Sequence, residues 1–111
     1  MTRNYETLFV LKPTLTEEEI EKNIESVKEV ISANGGEIAA IDKVGTRDLA
    51  YEIQKHKRGY YTIIYYKAPG SAIKEIERNL RINEDVIRFI TVKYENKREQ
   101  KQWEKFVSEV K

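Results

Sequence analysis

The sequence contains no cysteine and only one histidine, and these two scarcities exclude several kinds of site. Without cysteine the chain can form neither a disulfide framework nor a thiolate-bound metal site. The absence of cysteine also fits a reducing compartment. His56 has no second histidine and no cysteine to complete a transition-metal site, and we interpret it as a solvated side chain in a basic stretch. We therefore expect no metal and no cofactor.

Long hydrophobic runs are also missing. No uninterrupted apolar segment approaches the length of a membrane span. The first six residues lack the apolar core of a signal peptide and lead almost at once into a strand-like pattern. These features predict a soluble, cytoplasmic protein without a membrane partner.

The chain lacks the residue arrangements that catalysis requires. Gly35 and Gly36 follow a helix-like segment, so they do not have the strand-to-helix context of a phosphate-binding loop. We find no nucleophile with a base and an orienting group, and we expect neither enzymatic activity nor a small-molecule substrate. Two alternatives remain. An acylphosphatase-like hydrolase would need a glycine-rich phosphate-binding turn near the first strand, where Leu11–Thr14 supplies none. A metabolite-binding module would oligomerise through its sheet.

The charge of the chain is unevenly distributed. The 111 residues are 40% hydrophobic, enough for one modest core, and carry a net charge of only +1. Between Lys43 and Lys67, however, six basic residues face two acidic ones, which gives 6 − 2 = +4. A locally basic segment rich in aromatic residues, within a nearly neutral chain, indicates an anionic partner.

Hydrophobic periodicity and turn residues predict two helices and four strands. Thr16 and Glu19 have the spacing of a capping box at the first helix start, and Gly45 is a candidate bulge. The predicted elements are a strand Tyr5–Leu11, a helix Thr16–Asn34, a strand from Glu37 towards the hairpin, a hairpin of Val44–Gln54 and Tyr60–Tyr66 whose turn at Lys55–Gly59 is longer than two residues, a helix Ser71–Arg81 and a strand Val86–Tyr94.

The order β-α-β-β-α-β favours an α+β, ferredoxin-like sandwich over residues 1–94, with a four-stranded antiparallel sheet and two helices on one face. In this layout the first and third strands are central. Leu8 and Val10 point away from Phe9, so an apolar face lies opposite the helices, and such a face marks a partner site unless the tail covers it. We expect the buried core to contain Phe9, Ile24, Val27, Ile76 and Leu80.

The C-terminal tail, residues 95–111, has the pattern of an amphipathic helix. Trp103, Phe106, Val107 and Val110 recur at helical spacing. With five basic and four acidic residues the tail is not a polybasic arm. A helix of this length is marginal alone in water, so it either packs on its own domain or folds against a partner.

Three stretches resemble the family of bacterial small-subunit ribosomal protein six: Asn4–Pro13, Gly45–Ile53 and Leu80–Arg88. The resemblance extends from about Arg3 to Lys93. Two residues depart from the family pattern: Asp48 replaces a usually basic residue, and Glu52 stands where proline is usual.

The resemblance implies a structural constituent of the small ribosomal subunit, with the ferredoxin-like fold and a location on the ribosome. It also implies a heterodimer with small-subunit protein eighteen. That pair would bind the central domain of 16S ribosomal RNA during subunit assembly.

Within that frame we predict RNA binding by Arg3, Arg88 and Lys93, since a strand holds a cation in place at less entropic cost than a mobile turn. By strand parity, Arg88 and Lys93 lie on opposite faces. The basic residues of the hairpin turn are interpreted as solvated, and those at the end of the second helix as partners of its dipole. Leu49 and Tyr51 are predicted to bind the partner protein; the alternative is that they belong to the core.

Overall fold

The computed structural model describes residues 2–110 and contains four strands and three helices in that range. The predicted order of the first six elements is confirmed. In chain order the elements are β1 (Thr2–Leu11), α1 (Glu17–Ala33), β2 (Glu37–Ile53), β3 (His56–Pro69), α2 (Ala72–Ile82), β4 (Val86–Tyr94) and α3 (Lys97–Val110).

The strands form one antiparallel sheet in the order β2-β3-β1-β4. The prediction that β1 and β3 are central is therefore confirmed. One face of the sheet packs against α1 and α2, and all five predicted core residues are buried between these layers. We call this side the closed face and the opposite side the open face.

Helix α1 begins at the capping box that the sequence predicted. The Thr16 hydroxyl accepts a hydrogen bond from the Glu19 backbone N–H at 3.2 Å. The Glu19 carboxylate accepts one from the Thr16 backbone N–H at 2.9 Å. These reciprocal bonds satisfy backbone donors that have no partner within the helix. They fix the point from which the apolar stripe of α1 runs across the closed face.

The connection between β2 and β3 corrects one expectation. Ile53 pairs with His56, so the loop consists of Gln54 and Lys55 alone, both with positive φ (50° and 69°). This is the backbone of a tight two-residue hairpin. The prediction of a longer turn was wrong because the loop lacks the Asn-Gly or Asp-Gly pair that usually announces such a turn. The basic residues that follow Lys55 lie in β3 rather than in a mobile turn.

The predicted irregularity near Gly45 is present. β2 is one continuous strand, and its pairing with β3 shifts between Lys43 and Gly45. Gly45 has a φ of 97°, in a region where side chains are strained. The shift allows β2 to continue from the sheet into the hairpin as one strand.

Helix α3 resolves the alternatives for the tail. It packs on the open face, where Trp103 and Val107 join a buried cluster with Ala40, Tyr65 and Tyr94. The Trp103 indole N–H donates a hydrogen bond of 2.9 Å to the backbone carbonyl of Tyr5. The tail thus folds against its own domain.

The start of α3 carries a capping pair that sequence analysis missed. The Asn96 side chain accepts from the Glu99 backbone N–H at 2.8 Å, and the Glu99 carboxylate accepts from the Asn96 backbone N–H at 3.2 Å. The signal was the Asn-x-x-Glu spacing before the apolar stripe. The pair defines where the chain leaves β4 and turns onto the open face.

Candidate functional site

Helix α3 covers only one end of the open face and leaves an apolar strip beside it. Leu8 pairs across the sheet with Ile63 on β3 and with Ile90 on β4, so these three side chains form one row. Ile90 is 48% exposed and its neighbour on the same face, Val92, is 38% exposed. Ile63 also packs against the cluster beneath α3, so we call Leu8, Ile90 and Val92 the uncovered strip. A contiguous exposed apolar surface of this kind is typical of a protein-binding site.

The hairpin provides a second exposed apolar element. Tyr51 is 64% exposed, and Leu49 is half-buried. Both lie between the Asp48–Arg58 and Ile53–His56 pairs, where the β2–β3 register is irregular. Neither residue belongs to either buried cluster. The alternative that these two residues are ordinary core is therefore excluded, and their role in binding a partner stays a prediction.

Arg3 and Lys93 lie near the same end of the sheet. Lys93 pairs across the sheet with Tyr5, two residues along β1 from Arg3. The Lys93 ammonium contacts the Glu95 carboxylate at 2.8 Å. This contact, and more weakly Arg3, lowers the pKa of the Glu95 carboxyl. The strand register places both cations on the face of Tyr5, at the end of the sheet where β4 leads towards α3.

Arg88 lies elsewhere. It pairs with Val10, seven residues along β1 from Arg3, which corresponds to roughly 23 Å at about 3.3 Å per residue. The expectation that β1 and β4 are neighbours is met, but their antiparallel register separates Arg88 from Arg3 and Lys93. The three predicted RNA-binding residues therefore form two groups rather than one surface.

Arg88 has a basic neighbour that sequence analysis assigned to another role. Arg88 and Arg81 line the same shallow cleft, together with Gln54 from the hairpin turn. The Arg81 guanidinium lies 5.9 Å from the centre of the Phe89 ring. Within residues 2–110 neither arginine forms an ion pair. We name Arg81 and Arg88 the arginine cleft; the short connection from α2 to β4 was the signal that could have joined them.

Asp48, which stands where the family pattern has a basic residue, lowers the positive charge of the hairpin. Asp48 lies opposite Arg58 across the β2–β3 ladder, and its carboxylate is 3.2 Å from the Arg58 guanidinium. Both side chains are largely exposed, so the pair adds little stability. Its main consequence is to offset one positive charge of the hairpin.

A family model described as Ribosomal protein S6 matches residues 4–93. The small ribosomal subunit protein bS6 of Campylobacter curvus (strain 525.92) is 57% identical over 109 residues, which cover 98% of this chain and 77% of that protein. The bS6 protein of a Nitratiruptor species is 58% identical over 109 residues, which cover 98% of this chain and 85% of that protein.

The fold agrees with these relatives. The crystal structure of 30S ribosomal protein S6 from Thermotoga maritima superposes with a TM-score of 0.83 at 32% sequence identity, and covers 97% of this chain and 99% of that chain.

The chain belongs to the ribosomal protein S6 family. Members of the S6 family are structural, non-enzymatic components of the small ribosomal subunit, so this protein is a part of the ribosome in the cytoplasm and is not an enzyme. The predicted family, fold class and non-enzymatic role are confirmed. In residues 2–110 no helix combines the length and apolarity needed to cross a membrane.

The S6 family model ends before α3, but the bS6 relatives align over 109 of the 111 residues. Their alignment therefore includes almost all of α3. The helix that covers part of the open face is thus within the aligned region that this chain shares with these S6 proteins.

Proposed function

We propose that this protein forms a heterodimer with small-subunit protein eighteen, and that the pair binds the central domain of 16S ribosomal RNA during subunit assembly. The observation that carries the proposal is the division of the exposed surface into an apolar part and separate basic parts. An apolar surface fits a protein partner, and fixed cations fit phosphate groups.

The partner protein would bind the uncovered strip and the hairpin residues Leu49 and Tyr51. Ile90, Val92 and Tyr51 expose large apolar side chains that lose contact with water when a protein covers them. Tyrosine supplies a large contact area with only two rotatable side-chain bonds, which limits the entropic cost of binding. Tyr51 would therefore be the central anchor.

The RNA would contact Arg3 and Lys93 at one end of the sheet and Arg88 at the other. Because the two groups lie roughly 23 Å apart along β1, they would hold two separate parts of the RNA backbone. Arg81 lines the cleft of Arg88 and would add a second guanidinium there. Phosphate contacts of this kind orient a protein on RNA without reading its sequence.

Both partners would be needed for tight RNA binding. The chain has a net charge of +1, and the hairpin loses one positive charge to the Asp48–Arg58 pair. Long-range attraction of this protein alone to RNA is therefore weak. The heterodimer would add the partner's contacts and hold both surfaces in one orientation.

Reconstitution on the central domain of 16S ribosomal RNA, with and without protein eighteen, tests the proposal. We expect a stable complex when both proteins are present and weak, salt-sensitive binding by this protein alone. Tight binding by this protein alone would contradict the requirement for a heterodimer. Failure of the two proteins to associate in the absence of RNA would contradict the partner assignment.

A further inference from the structure

Helix α3 has nearly equal numbers of basic and acidic residues, but its basic residues are gathered on one side. With 3.6 residues per turn, the side chains of Lys97, Arg98, Lys101 and Lys105 fall within an arc of about 100° that is centred opposite Trp103. All four are exposed. We call these four residues the basic ridge. The ridge faces solvent because the opposite side of α3 is fixed on the sheet.

The acidic residues of α3 do not neutralise the ridge. Glu99 lies on the sheet side of the helix, where its carboxylate accepts hydrogen bonds from the backbone N–H groups of Glu95 and Asn96, both at 3.2 Å. Glu104 and Glu109 lie on opposite flanks of the ridge. Among residues 2–110 no ridge cation takes part in an ion pair. The ridge cations are therefore available to an external anion.

The ridge is rigidly supported. Trp103 is buried and hydrogen-bonded to the Tyr5 carbonyl, and the Lys67 ammonium lies 5.8 Å from the centre of its ring. Phe106 packs against Tyr65 with ring centres 6.2 Å apart. A cation on such a fixed helix loses less conformational entropy on binding than one on a mobile arm.

The ridge lies on the opposite side of the sheet from Arg3 and Lys93, whose strand positions share the face of Tyr5, towards α1 and α2. Lys93 lies four residues before Lys97, and both Arg3 and Lys93 act on Glu95 at the junction between β4 and α3. From Lys97 to Lys105 the helix rises about 12 Å at 1.5 Å per residue. The ridge is therefore a separate basic surface on the open-face side of this end of the sheet, the end remote from the arginine cleft.

We propose that the basic ridge of α3 binds the phosphate backbone of RNA, at a site separate from Arg3 and Lys93. The inference rests on the proposed RNA-binding function and deepens it, because it assigns a ligand to the tail helix. Charge complementarity selects an RNA backbone: the ridge presents several fixed cations in a row and has no apolar anchor, which a protein partner would use.

The test measures affinity for the central domain of 16S ribosomal RNA against salt concentration, with protein eighteen present. The ridge variant is Lys97→Gln/Arg98→Gln/Lys101→Gln/Lys105→Gln. The matched control, Lys22→Gln/Lys28→Gln/Lys74→Gln/Arg78→Gln, removes the same charge from α1 and α2. A third variant, Lys97→Arg/Lys101→Arg/Lys105→Arg, keeps the ridge charge. Trp103 fluorescence and thermal unfolding verify that α3 remains docked in all three.

Since each phosphate contact contributes about 0.7–0.9 to the slope of log affinity against log salt, we expect the ridge variant to reduce the slope by about 2. The control should change it by less than half as much, and the arginine variant should bind like the wild type. Equal losses in the ridge variant and the control would overturn the inference while the proposed function stands. Absence of RNA binding by the wild-type heterodimer would overturn the proposed function and the ridge with it. If the ridge variant weakens binding to protein eighteen but leaves the RNA slope unchanged, the ridge binds protein and the inference fails.

Discussion

Helices cover the two faces of the sheet to different extents. The fully covered face stabilises the fold, and the partly covered face leaves surfaces for binding. On the closed face α1 and α2 cover the central strands, and Phe9, Ile24 and Ile76 are at most 1% exposed. On the open face α3 covers one end only, and Ile90 is 48% exposed. The protein folds around the closed face, and the half-covered open face provides both an apolar surface and, on the back of α3, a basic one.

The largest expected effect is the loss of stability when the closed face is damaged. Ile24→Ala should reduce the free energy of unfolding by about 2–5 kcal/mol, because it leaves a cavity in a packed core. Ile90→Ala, the matched change on the open face, should cost less than about 1 kcal/mol since the side chain is already half exposed. Equilibrium denaturation measures both. Equal costs for the two variants would show that the faces do not differ in this way.

A smaller loss is expected when the contact between α3 and the sheet is removed. Trp103→Ala should cost about 3 kcal/mol, at the low end of the range for a buried tryptophan, because α3 can detach locally while the closed face stays folded. Hydrogen exchange should then rise in α3 and remain low in α1. Faster exchange in both helices would instead mean that α3 folds as one unit with the closed face.

Binding to protein eighteen should depend on exposed apolar residues of the hairpin. Tyr51→Ala should weaken binding to protein eighteen by about 1–2 kcal/mol with little change in folding stability, as truncation of an interface anchor does. Leu49→Ala should have a smaller effect, since Leu49 is already half-buried. Isothermal titration of the folded variants gives the affinities. Normal binding by Tyr51→Ala would remove the hairpin from the interface.

RNA affinity should change by a smaller amount when one cation is removed. Arg88→Ala should reduce the salt slope of RNA binding by the heterodimer by about 1, the value for one phosphate contact. Lys55→Ala/Lys57→Ala/Arg58→Ala serves as the comparison. If the triple variant loses affinity and Arg88→Ala does not, the RNA lies along the hairpin rather than at the arginine cleft.

The smallest expected effect is a loss of folding stability at alkaline pH, which is absent at neutral pH. It comes from buried tyrosines on the two faces of the sheet. Burial raises the pKa of Tyr66 on the closed face to about 12, and burial with the nearby Glu6 raises that of Tyr65 beneath α3 to about 12. In the unfolded chain these tyrosines have the ordinary pKa of 10.0, so above that pH the unfolded chain loses their protons first. The stability that the buried, protonated tyrosines contribute is therefore fully present below pH 10.0 and falls as the pH rises towards 12. Tyr66→Phe should flatten the decline measured by denaturation at several alkaline pH values. An unchanged decline in that variant would assign it to other groups.

Much of the fold follows from local patterns in the sequence. The stripe of α1, its capping box and the alternation of β1 depend on residues close together in the chain, and all three were predictable. The turn at Gln54 and Lys55 was missed because neither residue type favours positive φ strongly enough to announce it. The place of α3 was not predictable, because a helix of this pattern fits a partner as well as the cluster around Tyr65.

The candidate site was predictable in part. Strand parity correctly separated the faces of Arg88 and Lys93, but it carries no information on distance along a strand. Only the register between β1 and β4 shows that Arg3 lies near Lys93 and far from Arg88. That Arg81 and Arg88 line one cleft depends on how α2 packs beside β4, which local patterns do not encode.

The edges of the sheet have a consequence for the protein before it joins the ribosome. β2 and β4 each pair with only one strand, so each leaves a row of backbone groups that could pair with another molecule. The pairing of β2 with β3 is interrupted by three register shifts, and β4 carries Arg88 and Lys93. Bulges and charged side chains are the usual means by which proteins oppose edge-to-edge aggregation. We therefore expect the cations proposed to bind RNA also to oppose self-association of the free protein through its sheet edges.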